Sequence, residues 1–194
     1  MPEGVQRLRR DALGEFAAAL RGRRSITLYE PEAPDPADLL DAIELARWAP
    51  NHRLTEPWKF YLIGKKTAAE IIDFAAEFDT ARKGEQAGAA RRARLKSIPG
   101  FFLLTCRKSA DELLQREDYA ACCCAVQNAT LYLWECGIGV KWSTGAMTRE
   151  RRFYEILSID HEAELVVGLF WYGYPKVVPT QKRRGVDEIV VERP

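Results

Sequence analysis

The chain has 194 residues, enough for one compact domain and short for two. With 47% hydrophobic and 29% charged residues it is not a disordered polymer. Its 29 basic and 28 acidic side chains leave a formal charge of +1, too little to attract nucleic acid or a membrane surface. Small anions stay within reach, because they need only a few well-placed cations.

In chain order, residues 1–24 carry basic side chains without the continuous apolar stretch of a signal peptide. Within them, Val5 to Gly22 reads as a helix, with Leu8, Leu13, Phe16, Ala17 and Leu20 at helical spacing. Asp35 can cap a second helix, with Pro36 in its first turn and Leu39, Leu40, Ile43 and Ala46 as its buried stripe. That helix should stop before Pro50, which disfavours helical geometry at Ala49. Trp58 to Ile63 reads as a strand ended by Gly64. Lys66 to Lys96 then reads as helical in two parts: an apolar first part, and from about Asp79 a second part rich in Ala, Arg and Gly that should be a mobile excursion. Ile98 to Cys106 fits a buried strand. Asp111 to Glu135 fits the longest helix, apolar nearly all round and therefore suited to a core or a subunit interface. Val140 to Trp142 returns as a strand, Leu165 to Tyr172 is the clearest strand, and Ile189 to Val191 reads as a short last one. No run approaches the roughly 18 apolar residues of a membrane span. The order gives an α+β domain covering 1–194, with strands forming a mixed central sheet packed between helices.

Several chemistries lack their residues. No phosphate-binding loop of the Gly-x-x-x-x-Gly-Lys type is present, and Gly137-Ile138-Gly139 follows a helix rather than a strand. His52 and His161 have no metal-ligand spacing, so no metal is expected. Nothing marks a nucleophile elbow. Five cysteines, three of them adjacent at Cys122, Cys123 and Cys124, suit reduced thiols and a cytoplasmic protein; in an apolar helix they read first as small packing residues. The chemistry is thereby pushed towards a bound cofactor, with no catalytic side chain nominated.

Three constellations can hold one. Arg23-Arg24-Ser25 follows the first helix with two planar donor forks and a hydroxyl, the chemistry that matches a phosphate. Residues 49–58 form a polar irregular loop that includes His52, Leu54, Thr55 and Glu56. Trp142-Ser143-Thr144-Gly145 follows a strand with hydroxyls and a glycine that allows close backbone approach. Lys182-Arg183-Arg184 adds cations near the end of the chain, where a solvated basic tail is the simpler reading.

Taken in order, Arg23 to Ser25, Ala49 to His52, Pro57-Trp58, Gly137 to Gly145, Val166 to Pro175 and Pro179 to Arg184 resemble the nitroreductase family, in particular its small bacterial members. Each motif is loose alone; the joint order is specific. The resemblance implies an intertwined homodimer with FMN at the interface. Arg23, Arg24 and Ser25 would hold the phosphate and ribityl end, helped by Lys182, Arg183 or Arg184. His52 and the segment Leu54-Thr55-Glu56 would approach from the partner subunit or the pyrimidine edge of the ring, and Trp142, Ser143 and Thr144 would pack beside it. It further implies ping-pong transfer from NAD(P)H to a nitroaromatic, quinone or similar planar acceptor, with no nucleic acid or membrane partner. Dehalogenation, enoate reduction, flavin breakdown, or flavin binding without turnover are the alternatives. Two positions depart from the pattern: Glu56 stands where relatives place an amide, and Trp48 where close relatives can carry Arg. The variable segment of about 65–97 should shape the pocket, and its excess of cations over 82–96 raises the question of NADPH preference.

Overall fold

The computed structural model describes residues 10–193. Helix α1 covers Arg10–Gly22, so the expected start at Val5 lies outside the described residues. Helix α2 is Pro36–Ala46, and Asp35 caps it by accepting from the Ala37 backbone at 2.8 Å. Strand β1 is Trp58–Leu62. Helices α3, Lys65–Lys83, and α4, Glu85–Lys96, are the two expected helical parts. They join at Gly84 rather than near Asp79, because Gly84 takes φ of 89°, a left-handed conformation costly to a side chain. Strand β2 is Gly100–Arg107, α5 is Glu112–Glu135, β3 is Gly139–Ser143, α6 is Arg151–Ile156 and β4 is Glu164–Gly173. The α5 cap is Asp111, whose carboxylate accepts from the backbone of Leu113 and Leu114 at 2.9 and 3.1 Å.

The α+β fold is thus present. The four strands lie in the order β1-β2-β4-β3, and neighbours pair antiparallel; among the described residues the parallel contribution is the single bridge from Ser25 to Val140. Helices cover both sheet faces, which explains why β2 and β4 are apolar along most of their length. Successive side chains alternate: Leu103, Leu169 and Trp171 meet α3, α4 and α6, while Phe102, Leu104, Cys106 and Phe170 meet α2 and α5. Phe102 and Phe170 stack at 4.6 Å between ring centres.

The expected strand at Ile189 to Val191 does not form. These side chains follow a tight turn at Val186–Glu188 and are 60%, 54% and 76% exposed. β-branched residues make a strand only where a sheet edge offers partners, and within the described residues none reaches this segment.

One partly buried ion site sets a pH dependence. Glu164, at the start of β4, accepts hydrogen bonds from Thr105 at 2.5 Å, Tyr61 at 2.8 Å and Lys59 at 3.1 Å. Burial opposes its charge, but the three donors outweigh burial and hold its carboxyl below the usual range. A depressed folded pKa contributes stability above the unfolded value, about 4.3 for Glu, and loses it as pH falls through the folded value. Urea midpoints of the wild type should therefore drop between pH 6 and pH 3.5 more steeply than those of Glu164→Gln. Parallel curves would remove Glu164 from the account.

Candidate active site

At the end of α1 the chain turns so that Arg23 and Arg24 point towards the C-terminal segment. Arg23, Arg24, Arg21 and Arg183, with Leu20 and Gln181, line a cavity of about 370 Å³. Like charges rarely gather without an anion to hold them. Burial, then Arg24 and Arg183, push the Arg23 guanidinium below its ordinary value, which shows the crowding. Arg24 donates Nη1 to the carbonyls of Arg21 and Arg23, capping α1. Its Nε stays buried with no partner among the described residues. A buried unpaired donor costs about 1–3 kcal/mol, so this fork is set up for a ligand oxygen. Ser25 is exposed beside the cavity, tied to β3 through its bridge with Val140. Lys182 and Arg184 are exposed and do not line the cavity; of the three cations in that segment only Arg183 does.

The Trp142-Ser143-Thr144 segment ends β3. The Trp142 indole donates Nε1 to the Val167 carbonyl at 2.9 Å and tilts onto Phe170 at 5.6 Å. That position exists because Gly168 has no side chain: a Cβ there would stand 2.2 Å from the Trp142 Nε1. The indole is thereby fixed while 36% of Trp142 remains exposed. Ser143 is half-buried and Thr144 exposed.

The loop before β1 is strained and tied down. Arg53, Leu54 and Glu56 take φ of 62°, 50° and 44°. Each left-handed non-glycine residue costs roughly 1–3 kcal/mol and persists only where its surroundings hold it. Here Thr55 donates to the buried carboxylate of Asp118 on α5 and accepts from Asn51 Nδ2 at 3.0 Å. Asn51 Oδ1 accepts from the Glu56 backbone at 2.7 Å, and His52 meets Glu117 at 2.9 Å. Arg107 donates to the Thr55 carbonyl. Leu54 is left 82% exposed. The Glu56 side chain has no hydrogen bond among the described residues and lines a cavity with Lys59, Arg107 and Glu164, at the β1–β2 side of the sheet. Asp118 was not legible as part of this loop, since only α5 packing brings it there.

One chain does not unite all the candidate residues. The 51–56 loop is anchored at Glu117 and Asp118 near the start of α5. The arginine cluster follows Gly22, which packs against Trp134 near the end of α5. At 1.5 Å per residue, Glu117 and Trp134 lie roughly 25 Å apart along the helix, farther than one mononucleotide reaches. Trp48 lies on the loop side, 71% exposed, with Arg47 over its ring at 5.2 Å.

The cysteines are free thiols. Cys122 is pushed upward by its hydrogen bond with Cys106 and by burial, and burial raises Cys123, so both stay protonated and unreactive. Among the described residues there is no cluster suited to a metal and no helix long and apolar enough to cross a membrane.

Comparison with known proteins bears on the fold and the family. The nitroreductase family model matches residues 20–174. The protein YfhC of Bacillus subtilis, which carries the provisional name NAD(P)H nitroreductase, is 31% identical over 169 residues, 85% of this chain and 87% of its own. The solved structure of a nitroreductase-like family protein from Bacillus cereus superposes with a TM-score of 0.81 at 26% identity, covering 98% of this chain and 99% of the other. A Desulfovibrio desulfuricans structure, described as a nitroreductase in complex with FMN, superposes at 0.74 with 21% identity, covering 92% and 96%. The match extends from the end of α1 through β4, across both helical layers and all four strands, and the chain belongs to the nitroreductase family.

Proposed function

We propose that this protein is an FMN-dependent oxidoreductase that takes electrons from NAD(P)H. The observation that carries the reading is the convergence of Arg23, Arg24 and Arg183 on one cavity, with the Arg24 Nε buried and unpaired. A phosphate dianion satisfies that set: it would accept from the Arg24 fork and offset the burial and, after it, the repulsion that depress Arg23. The names of the relatives support the same reading.

In this reading Arg23, Arg24, Ser25 and Arg183 hold the FMN phosphate and ribityl end, with Lys182 and Arg184 adding positive field. Trp142, locked by Val167 and Gly168, walls the ring, and Ser143 and Thr144 offer donors along its edge. His52, Leu54, Thr55 and Glu56 of the partner subunit complete the site. The distance between loop and arginines within one chain supports that homodimer, as does the exposed apolar surface of Leu13, Phe16 and Leu20 on α1 and Leu40 and Leu45 on α2. The chemistry FMN supplies when bound is two-electron exchange in ping-pong order, from NAD(P)H to a nitroaromatic, quinone or similar planar acceptor. The side chains position and exclude; no acid–base pair is required of them. Free cysteines suit a reducing cytoplasm.

The test is the absorbance spectrum of the purified protein before and after anaerobic NADPH. A flavin spectrum that bleaches is expected. A protein that stays colourless even after FMN is added would refute the reading, and a flavin spectrum unchanged by NADPH and, in a second run, by NADH would reduce it to flavin binding.

A further inference from the structure

A second cationic pocket lies on the opposite sheet face from α5, between the α3–α4 joint and the turn that follows Trp142-Ser143-Thr144. Arg82 and Lys83 in the last turn of α3 and Arg91 on α4 face Gly145, Ala146 and Met147 across a cavity of about 230 Å³. Asp79 is the one carboxylate in its lining, 3.5 Å from Lys83 and 4.0 Å from Arg91. It cannot neutralise three cations. Arg82 has no carboxylate partner among the described residues and lies over the Phe78 ring at 5.1 Å.

Behind the pocket the positive charge continues. Arg91, Arg94 and Lys141 crowd the buried Trp171 ring, at 5.4, 5.4 and 4.2 Å from its centre. Burial and the neighbouring arginines push the Lys141 ammonium below its ordinary value. Arg91 is also held in place, with Nη2 at 3.9 Å from the Met147 sulfur. Two other acids of α3 pair with cations outside the pocket, Asp73 with Arg92 and Glu77 with Arg152. The pocket is thus a fixed cationic recess with surplus charge.

We propose that this recess binds the 2′-phosphate of NADPH and makes the protein select NADPH over NADH. The inference rests on the flavin reading above. Gly145 lines the recess and also ends the segment that reading sets against the flavin ring, so one loop joins the two sites, and a donor stacked on the ring can extend its adenosine end towards the recess. The two donors differ by one phosphate. A recess that contributes only when that phosphate is present changes the ratio of catalytic efficiencies and leaves the chemistry alone.

The experiment has two arms. Calorimetry measures adenosine 2′,5′-bisphosphate, adenosine 5′-monophosphate and inorganic phosphate on wild type and on Arg82→Ala/Lys83→Ala, whose side chains are exposed enough not to be needed for folding. Wild type should bind the bisphosphate at least about tenfold tighter than either comparison ligand, and the double variant should lose that margin with FMN affinity unchanged. In stopped-flow reduction, wild-type kcat/KM should favour NADPH by a similar factor, and the variant should fall on the NADPH side alone. Equal affinities, a bisphosphate no better than inorganic phosphate, or equal losses with both donors would overturn the proposal. Selective bisphosphate binding without flavin reduction by either donor would support the recess and overturn the oxidoreductase reading.

Discussion

Arg24→Ala is expected to raise the dissociation constant for FMN by roughly 10- to 100-fold while leaving the flavin-free protein as stable as wild type or slightly more so. A charge-assisted hydrogen bond to phosphate is worth about 1.5–3 kcal/mol, and each 1.4 kcal/mol is a factor of about ten in affinity. The flavin-free protein gains because Arg24 is one of the charges that press on Arg23, and because its unpaired Nε disappears. It loses the cap on α1, worth a fraction of this. The two effects nearly cancel without ligand and do not cancel with it. Quenching of flavin fluorescence on titration gives the affinity, and urea unfolding of flavin-free protein gives the stability. Arg24→Lys keeps the charge and loses the fork, so it should fall between wild type and alanine. Unchanged FMN affinity in Arg24→Ala would mean that the cradle lies elsewhere.

Asp118→Ala should cost about 1.5–3 kcal/mol of stability and free the 51–56 loop, far from the arginine cluster. Asp118 is 3% exposed and takes the Thr55 hydroxyl, which in turn orders Asn51 and, through it, the Glu56 backbone. A hydrogen bond to a charged group carries that much, and it opposes the strain of Arg53, Leu54 and Glu56 in left-handed geometry. Because the two residues act as one unit, Thr55→Val combined with Asp118→Ala should cost less than the sum of the singles by at least about 0.5 kcal/mol. Limited proteolysis should cut the variant within the loop before it cuts wild type. Additive costs, or an unchanged cleavage pattern, would mean that α5 does not hold the loop.

Much of the local structure was readable because its causes are local. Asp35 with Pro36 announces a helix start through a cap that needs only neighbours in sequence, and the long helix from about Asp111 announces itself by its apolar surface. The strands from Gly100 and Glu164 announce themselves by apolar runs, and both are buried between helical layers. Arg23 and Arg24 could be nominated by chemistry and by resemblance to a family. The segment Ile189 to Val191 misled for the complementary reason: its β-branched residues favour a strand, but among the described residues no edge lies within reach.

By itself, then, the sequence determined most of the helices and strands, the family, and which cations could meet a phosphate, all of which depend on residue type and short spacing. Helix α6 and the absence of a strand at Ile189 to Val191 came only from the fold. Only the tertiary structure decided which of those cations converge, taking Arg183 into the cavity and leaving Lys182 and Arg184 outside. It also decided that Asp118 grips Thr55 from 63 residues away, that Arg91, Arg94 and Lys141 share one tryptophan, and that the loop and the arginine cluster stand at opposite ends of α5. These are relations between elements distant in sequence. They follow from the angles and contacts of packing, which no local pattern encodes.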